Sequence, residues 1–347
     1  MRQVVTVSPG QVEVVETPDP TPGPGQVTVA VDAAGICGSD VHIYRGRHPY
    51  QIFPVVQGHE VAGHVVGLGT GTLGPGVGTA VVVEPVISCG HCLACRRGHY
   101  NACANLELVG IHRPGGFAEL LVAPANLVHP TVDLPPDLAV LSEPVAVGLQ
   151  ALVRAGLSRG DDVVVIGAGC IGRVITMAAA DQGARVLIAD REPARLRLAE
   201  RLGATGSVST TTEDLGAATD RFTNGNGPRV VIDATGVPAM IRLAVELVAP
   251  TGTVVVVGLS DQEVSVPVGI FTRKELNVLG SRNSANLFSR AIDVVRRHRT
   301  VMSELISHRF PLEAAGEALA LVADNAAAVS KAIIEPRRRN VAGRRHG

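Results

Sequence analysis

The chain has 347 residues, of which 46% are hydrophobic and 18% are charged, with 31 Lys and Arg against 32 Asp and Glu. These proportions exclude intrinsic disorder as the general state, and the net charge of −1 gives no indication of a nucleic-acid or membrane partner. The length predicts two domains, and the absence of a signal-peptide pattern and of any apolar run of ~18–20 residues predicts a cytoplasmic protein.

The first part of the chain is rich in turns and in short strand-like runs. Apolar residues alternate with small or polar ones over 27–35, 60–69 and 79–86, and Gly- and Pro-rich turns separate these runs. This pattern is typical of an irregular, mostly antiparallel β domain.

From about residue 150 onward, strand-like runs alternate with helical segments. Buried strands are predicted at 162–167, 185–190, 230–236, 253–259 and 275–280. Such alternation indicates a parallel sheet with right-handed crossovers. Two amphipathic helices, at 285–298 and 312–324, and a strand at 331–336 follow, and the basic tail 337–347 is interpreted as a solvated end.

A glycine-rich turn follows the predicted strand at 162–167. In the run Gly167-Ala-Gly169-Cys-Ile-Gly172 the first glycine permits a tight turn, the second admits a pyrophosphate, and the third allows close contact between helix and strand. Asp190 ends the next strand, where its carboxylate would bind the adenosine ribose and repel a 2′-phosphate. This predicts a site for NAD in preference to NADP, although Arg191 would tolerate the phosphate. The alternative is a nucleotide-free sheet with a glycine-rich turn.

Four of the six cysteines, Cys89, Cys92, Cys95 and Cys103, lie within fifteen residues. A single loop with this spacing can wrap around one tetrahedral Zn²⁺. An iron–sulfur cluster is the alternative, but the C-x3-C-P continuation of ferredoxins is missing. Four thiolates leave no open position, so we expect a structural zinc, with His91 and His99 as surplus residues.

Other residues of metal-binding type are spread over the first domain. Cys37 lies in GICGSDVH, His59 and Glu60 lie in GHE, and Glu143 lies in SEPVAVG. One thiolate, one imidazole and one or two carboxylates would hold a catalytic zinc with an open position. From spacing alone, a core cysteine, a satisfied histidine and a capping or paired glutamate remain alternatives.

Several motifs occur in an order that resembles the zinc-dependent medium-chain dehydrogenases, the superfamily of alcohol, sorbitol and threonine dehydrogenases. They are GxCGSDxHxxxG (35–46), GHExxGxV (58–65), the four cysteines, SEPxAVG (142–148), GAGxIG (167–172) and DATG (233–236). The stretches VGIHRPGGFAEL and LGSRNS resemble the polyol and sugar-acid branch, such as L-galactonate/L-gulonate 5-dehydrogenase-like proteins.

The resemblance implies an α/β fold with two domains. An irregular, β-rich GroES-like catalytic domain would comprise 1–149 and 286–347, with a structural-zinc lobe at 87–105. A doubly wound Rossmann domain that binds NAD would comprise 150–285.

The resemblance also implies roles for individual residues. Cys37, His59 and Glu143 correspond to positions around the catalytic zinc, and Glu60 is a direct ligand in some relatives and an exchanging one in others. Which carboxylate binds the metal stays open, because simple-alcohol enzymes use Cys or Asp as the third ligand. Ser39 and His42 match positions that relay the substrate proton outward, with a helix N-cap and a packed imidazole as their alternatives.

The implied reaction moves a hydride between a secondary alcohol (a polyol, sugar acid or cyclitol) and NAD(P), in a homodimer or homotetramer with two zinc ions per chain. Residues expected at the dinucleotide are Gly167, Gly169, Cys170, Ile171, Gly172, Asp190, Arg191, Arg195, Thr235, Val257, Gly258, Leu259, Ser281, Arg282 and Asn283. The alternatives are a threonine-type or simple secondary-alcohol dehydrogenase, a zinc-independent reductase, and a non-catalytic NAD-binding sensor.

Overall fold

The computed structural model describes residues 1–50, 52–325 and 327–336, so the basic tail 337–347 lies outside the described residues. The strands are β1 (Arg2–Ser8), β2 (Gln11–Glu16), β3 (Gln26–Ile36), β4 (Glu60–Leu68), β5 (Ala80–Val83), β6 (Val86–Ile87), β7 (Glu107–Leu108), β8 (Leu120–Pro124), β9 (Val128–Pro130), β10 (Asp162–Ile166), β11 (Arg185–Asp190), β12 (Gly206–Ser209), β13 (Val230–Asp233), β14 (Thr253–Val256), β15 (Asn277–Gly280), β16 (His308–Pro311) and β17 (Ala332–Glu335).

The helices are α1 (Gly38–Tyr44), α2 (Leu93–Arg96), α3 (Pro136–Ala139), α4 (Ser142–Ala155), α5 (Cys170–Asp181), α6 (Pro193–Arg201), α7 (Leu215–Thr223), α8 (Pro238–Leu247), α9 (Gly269–Lys274), α10 (Phe288–Arg297), α11 (Arg299–Met302) and α12 (Ala315–Asp324). Short 3-10 turns lie at Tyr100–Ala102, Ala125–Leu127, Ser303–Leu305 and Leu312–Ala314.

The first compact unit comprises Met1–Glu143, Val295–Arg299 and the described residues from Ile306 onward. Its main sheet has the order β16-β17-β3-β4-β5-β9, and β8 also pairs with β3. β3 is central, because it pairs antiparallel with β4, β8 and β17. Valines from these strands and apolar residues of α12 form the core, as expected for a sheet built from β-branched residues.

The second compact unit comprises Pro144–Val294 and Thr300–Leu305. Its six strands are all parallel, in the order β12-β11-β10-β13-β14-β15. This is the doubly wound order of dinucleotide-binding domains, in which ligands bind where the order reverses, beyond the carboxyl ends of the first and fourth strands. Those strands are β10 and β13. The predicted fold class is confirmed, and β12, α7 and α9 are elements that the sequence patterns did not reveal.

The division between the units differs from the boundaries expected from sequence. It falls between Glu143 and Pro144, inside α4, rather than at 149/150. Residues 286–294 and 300–305 cluster with the second unit rather than with the first. A change in the pattern of residue types along the sequence marks the end of an element, whereas packing decides to which core the element belongs.

Within the described residues, one stretch meets the length and composition of a membrane span, although charged residues interrupt it. It is Pro136–Ala155, and 83% of its most apolar window is buried within the protein. Burial of this kind is typical of a core helix, since a spanning helix presents its apolar side chains to lipid.

Candidate active site

Cys37, His59 and Glu60 meet at one place in the first unit. One ligand atom from each of the three lies within 4.8 Å of the others. Cys37 is the N-cap of α1, His59 precedes β4, and Glu60 begins β4. The Nδ1 atom of His59 is buried without a hydrogen-bond partner among the described residues. A thiolate, an imidazole and a carboxylate at this separation fit a zinc ion.

Asp40 positions two of these residues. Its carboxylate is fully buried and accepts hydrogen bonds from the backbone N–H of Cys37, at 2.9 Å, and of Gly58, at 3.2 Å. Nδ1 of His59 lies 3.7 Å from the same carboxylate. Gln57 donates to the Asp40 carbonyl at 2.9 Å. Because Asp40 faces Nδ1, the Nε2 atom of His59 is left for a metal, an arrangement that metal-binding histidines commonly use.

Glu60 is paired with Lys331. Nζ of Lys331 lies 2.6 and 2.7 Å from the two carboxylate oxygens, and both side chains are buried. β3 runs between the two residues, and Gly35 of β3 lies opposite Glu60. A Cβ atom at Gly35 would lie 1.8 Å from a carboxylate oxygen of Glu60. The glycine therefore lets the glutamate cross the strand to reach the lysine.

Glu143 is buried at the start of α4, outside the set whose ligand atoms lie within 4.8 Å of one another. Burial raises the pKa of Glu143 to about 7, with His59 opposing this effect and Glu60 adding to it. Burial also lowers the pKa of His59, but Asp40, Cys37 and Glu143 raise it well above its ordinary value. The anionic groups thus favour a cation at His59, and a bound metal would replace that proton.

Ser39 and His42 lie on α1, next to this cluster. Oγ of Ser39 lies 3.5 Å from Nε2 of His59. Cys37, rather than Ser39, is the helix N-cap, and His42 is exposed rather than packed. Residues three apart on a helix share a face, so Ser39 and His42 lead from the buried cluster toward solvent.

The four clustered cysteines form a second group of candidate ligands. Their sulfur atoms lie within 4.8 Å of one another, with Cys92–Cys95 at 3.4 Å, Cys92–Cys103 at 3.9 Å and Cys89–Cys103 at 3.4 Å. Tetrahedral Zn–S bonds of about 2.3 Å place sulfurs about 3.8 Å apart. All four thiols are free of disulfides. The cluster therefore fits a structural zinc, and the exposed His91 and His99 lie outside it.

The thiols of this cluster differ in acidity. Hydrogen bonds from the backbone N–H groups of Ala104 and Cys95 lower the pKa of Cys92 to about 6. Burial and the neighbouring Cys92 raise the pKa of Cys95 to about 11. Metal binding must therefore displace protons from the less acidic sulfurs.

A buried glutamate attaches this lobe to the main sheet. Tyr100 Oη donates to Oε1 of Glu84 at 2.7 Å, and Nε2 of His129 lies 3.0 Å from Oε2. Glu84 follows β5, Tyr100 lies within the lobe and His129 lies on β9. The carboxylate therefore joins three segments of the first unit.

The glycine-rich turn of the second unit has the geometry that a phosphate-binding turn requires. Gly167 follows β10 with φ +99, a value that favours glycine. Gly169 is the N-cap of α5, and a Cβ atom there would meet nothing within 4 Å. A Cβ atom at Gly172 would lie 1.7 Å from the carbonyl oxygen of Gly167. The turn therefore leaves open space at the first N–H groups of α5.

Asp190 lies beside this turn at the end of β11. Its carboxylate accepts hydrogen bonds from the N–H of Ala168 at 2.6 Å and of Glu192 at 2.9 Å. Nη1 of Arg195 lies 3.9 Å away. Because each carboxylate oxygen has more than one acceptor site, Asp190 retains capacity for ribose hydroxyls.

The other residues expected at the dinucleotide occupy turns after β13, β14 and β15. Thr235 donates to the buried Asp233 at 2.6 Å, and the backbones of Gly236 and Gly258 approach so closely that neither admits a side chain. After β15, Oγ of Ser281 and Nδ2 of Asn283 are buried without hydrogen-bond partners among the described residues. Val257 and Gly258 follow β14, whereas Leu259 and Arg282 are exposed.

Comparison with known proteins assigns the chain to a family. Residues 23–135 match the alcohol dehydrogenase GroES-like domain, and residues 170–297 match the zinc-binding dehydrogenase domain. The chain belongs to the zinc-binding alcohol dehydrogenase family. This membership shows an oxidoreductase of the class predicted from the motifs.

This alcohol dehydrogenase is similar over most of its length to individual proteins of Escherichia coli. It is 36% identical to the starvation-sensing protein RspB of strain K12, over 92% of this chain and 95% of that protein. It is 34% identical to the L-galactonate-5-dehydrogenase of that strain, over 86% and 88%. The crystal structure of RspB from strain CFT073 with NADH has a TM-score of 0.90 at 33% identity and covers 96% of this chain and 99% of that one.

Two residues of the candidate site were missed from the sequence. Asp40 lies within the GICGSDVH motif at the N3 position of α1, where an acidic residue commonly closes a capping box. Lys331 gives no such signal, because only the pairing of β17 with β3 brings it to Glu60.

We expect two zinc ions per chain that differ in their rate of exchange. The four-thiolate site has no open position, so it should keep its metal longer under chelation than the site at Cys37 and His59. Metal analysis during chelator treatment, with activity measured in parallel, checks this. Loss of activity should accompany the first zinc; one zinc in the active protein, or iron, would contradict it.

Replacing Lys331 with Met should destabilise the protein, because it leaves the Glu60 carboxylate buried and unpaired. Breaking a buried ion pair on one side typically costs about 3–5 kcal/mol. The double variant Lys331→Met/Glu60→Gln should recover much of that loss, and Lys331→Arg, which keeps the charge, is the matched control. Urea unfolding of the four proteins measures the effect, and equal stabilities for the single and double variants would count against the pairing.

Proposed function

We propose that this dehydrogenase oxidises a secondary hydroxyl group of a polyol or sugar acid, with NAD⁺ as hydride acceptor and a catalytic zinc. The juxtaposition of Cys37, His59 and Glu60 is the observation that carries the proposal. The similarity to a protein named L-galactonate-5-dehydrogenase supports the substrate class, and the open turn at Gly169 supports the dinucleotide.

Cys37, His59 and one of the carboxylates, Glu60 or Glu143, would hold the catalytic zinc. When bound, the metal supplies Lewis-acid chemistry that lowers the pKa of a coordinated hydroxyl. The ammonium group of Lys331 neutralises part of the negative charge that Glu60 brings to the site. The carboxylate of Asp40 fixes the orientation of the His59 ring. The protein thus sets the charge around the metal through residues that do not themselves react.

The proton of the substrate hydroxyl would leave along α1. Ser39 Oγ, beside Nε2 of His59, accepts it and passes a proton outward, and the exposed His42 delivers a proton to water. The half-buried serine and the exposed histidine lie on one helix face, which gives the relay a fixed direction.

The second unit would hold the dinucleotide. The N–H groups at the start of α5 face the diphosphate, and Asp190 accepts from the adenosine ribose. Ser281 Oγ and Asn283 Nδ2 are buried and have capacity to bind a polar group, and the carboxamide of nicotinamide offers both a donor and an acceptor. Orientation of the ring by such groups is the contribution a protein makes to hydride transfer.

The function is tested with zinc-loaded protein and a panel of polyols, sugar acids, cyclitols, threonine and a simple secondary alcohol. NAD⁺ reduction should depend on zinc and be fastest with a polyol or sugar acid. If threonine or the simple alcohol is turned over fastest, the proposed substrate class is wrong. Dinucleotide binding without turnover of any member would favour a sensor.

Glu143→Gln should depress turnover at least about tenfold, because residues at or next to a metal typically contribute about 10–100-fold. Glutamine keeps the shape of the side chain and removes its charge, so thermal unfolding and NAD⁺ affinity should change little. Glu60→Gln is the comparison variant. Native turnover in Glu143→Gln with unchanged zinc content would leave Glu143 without a part in the chemistry.

Asp190→Ala should weaken NAD⁺ use and improve NADP⁺ use, since the carboxylate no longer binds the ribose or repels a 2′-phosphate. The ratio of kcat/KM for the two cofactors measures the change. If the native enzyme already prefers NADP⁺, Arg191 or Arg195 dominates at this position and the proposed preference is wrong.

We also propose that the enzyme is a cytoplasmic homodimer formed through the free edge of β15. This strand ends the six-stranded sheet, and Asn277, Val278 and Gly280 are exposed along it. A strand at the edge of a sheet readily pairs with another strand, and a second copy offers the same edge. Sedimentation velocity should give a dimer, or a tetramer built from it, and Val278→Pro should give monomers; a dimeric Val278→Pro protein would place the interface elsewhere.

A further inference from the structure

A cavity of about 330 Å³ lies in the first unit, lined by residues of β3, β4, β5 and α3 and of the segment between β9 and α3. We refer to it as the α3 cavity. Its volume is at the lower end of the range for sites that bind small molecules. Ala62 and Val81 in its lining are buried, whereas Gly78 and Ala80 are exposed and mark its opening to solvent.

The lining of the α3 cavity includes a histidine that is paired with an aspartate. Nδ1 of His64 lies 3.0 Å from Oδ2 of Asp32. Asp32 is the extra residue of a bulge in β3, at the register shift between Val31 and Ala33. A bulge redirects the side chains around it, and here it brings the carboxylate to the imidazole.

This pairing determines which nitrogen of His64 can accept a hydrogen bond. An ionised carboxylate only accepts hydrogen bonds, so Nδ1 carries the hydrogen that points to Asp32. In a neutral imidazole the other nitrogen, Nε2, is then an acceptor. Within the described residues the side-chain hydrogen bonding of His64 uses Nδ1, and the side chain is 28% exposed. The cavity therefore offers an acceptor to a ligand.

The rest of the lining decides what kind of molecule fits beside Nε2. Ala62, Leu134 and Ala139 are buried and offer aliphatic surface. The carboxylate of Asp32 is already engaged by His64, and Asp32 has further contacts. A charged ligand would therefore enter without a counter-ion of its own, at a high desolvation cost. An uncharged molecule with a short aliphatic chain and a hydrogen-bond donor fits this combination.

We propose that the α3 cavity is a second ligand site, which binds a short, uncharged aliphatic alcohol whose hydroxyl group donates to Nε2 of His64. The site is separate from the candidate metal site. Glu60 begins β4 and His64 follows four residues later on the same face, which is about 13 Å along an extended strand. Binding there requires neither zinc nor a dinucleotide, so the proposal is independent of the proposed function.

The helix that closes the cavity leads directly to the candidate metal site. α3 packs against β3, β4 and β5. A short link, in which the backbone N–H of Leu141 donates to the carbonyl of Leu138, joins α3 to Glu143. A ligand in the cavity adds contacts to Ala139 of α3, so it should suppress local opening of α3 and of this link.

The test follows the ring nitrogens of His64 by NMR, in zinc-loaded protein labelled with nitrogen-15 histidine, without dinucleotide and at a pH where free imidazole is neutral. The probes are isobutanol, its isomer methyl isopropyl ether, which has no O–H group, and the isobutylammonium ion. Isobutanol should shift the Nε2 signal with half-saturation on the order of 1 mM, since a ligand of so few atoms binds weakly. The ether should bind about fivefold more weakly, because it cannot donate the hydrogen bond.

Ala80→Ile should abolish the shift and leave the pair of Asp32 and His64 in place. Ala80 lies opposite His64 at the opening of the cavity, and an exposed strand position accepts isoleucine. Val66→Ile is the matched control, because Val66 is an exposed residue of β4 outside the lining. His64→Gln identifies the His64 signals by their disappearance, and urea unfolding verifies that the two isoleucine variants fold.

Amide hydrogen exchange gives a second measurement. At ten times its half-saturating concentration, isobutanol should slow exchange at Val140 and Leu141 about tenfold, if opening of the link releases the ligand. The same slowing should occur in Val66→Ile and should be lost in Ala80→Ile.

Several results would overturn the inference. Nitrogen shifts of a charged ring in the native protein would show that Nε2 of His64 carries a hydrogen and cannot accept. Equal affinity for isobutanol and the ether would remove the hydrogen bond, and a shift that persists in Ala80→Ile would place the alcohol outside the α3 cavity. Tighter binding of isobutylammonium would show that the site takes a cation instead. The proposed function would stand in each case.

Discussion

The buried pair of Glu60 and Lys331 is the constraint on which the first unit depends. The carboxylate belongs to β4 and the ammonium group precedes β17, so β3 must lie between them and must carry Gly35 where the side chain of Glu60 crosses. Moving either strand would leave a buried charge unpaired, which is far costlier than losing an exposed ion pair. The order of β4, β3 and β17 in the sheet therefore also determines the charge balance of the candidate metal site.

The rest of the candidate metal site contains more buried acidic groups than basic ones. Asp40, Glu60 and Glu143 are all buried, whereas Lys331 and the imidazole of His59 are the cationic groups placed among them. Such a surplus favours binding of a further cation, and a proton on His59 and a metal compete for the same place.

Whether a feature could be predicted from sequence depends on how far apart along the chain its interacting residues lie. The roles of Gly167, Gly169 and Gly172 are local, since each is set by the turn that contains it, and the spacing of the four cysteines is decided within one loop. Lys331 could not be foreseen, because its partner lies 271 positions away. The burial of Arg173 could not be predicted for a different reason. A helical pattern predicts which face of α5 is buried, but not that an arginine side chain will lie on that face.

The distance between Glu60 and Lys331 along the chain has a consequence for protein synthesis. Ribosomes add about 5–20 residues per second, so 271 positions correspond to roughly 15–50 s during which Glu60 exists and Lys331 does not. β16 is absent for most of that interval and β17 for all of it, so the sheet that holds Cys37 and His59 lacks one edge. A nascent chain that has not yet reached Lys331 therefore carries the Glu60 carboxylate without its buried partner.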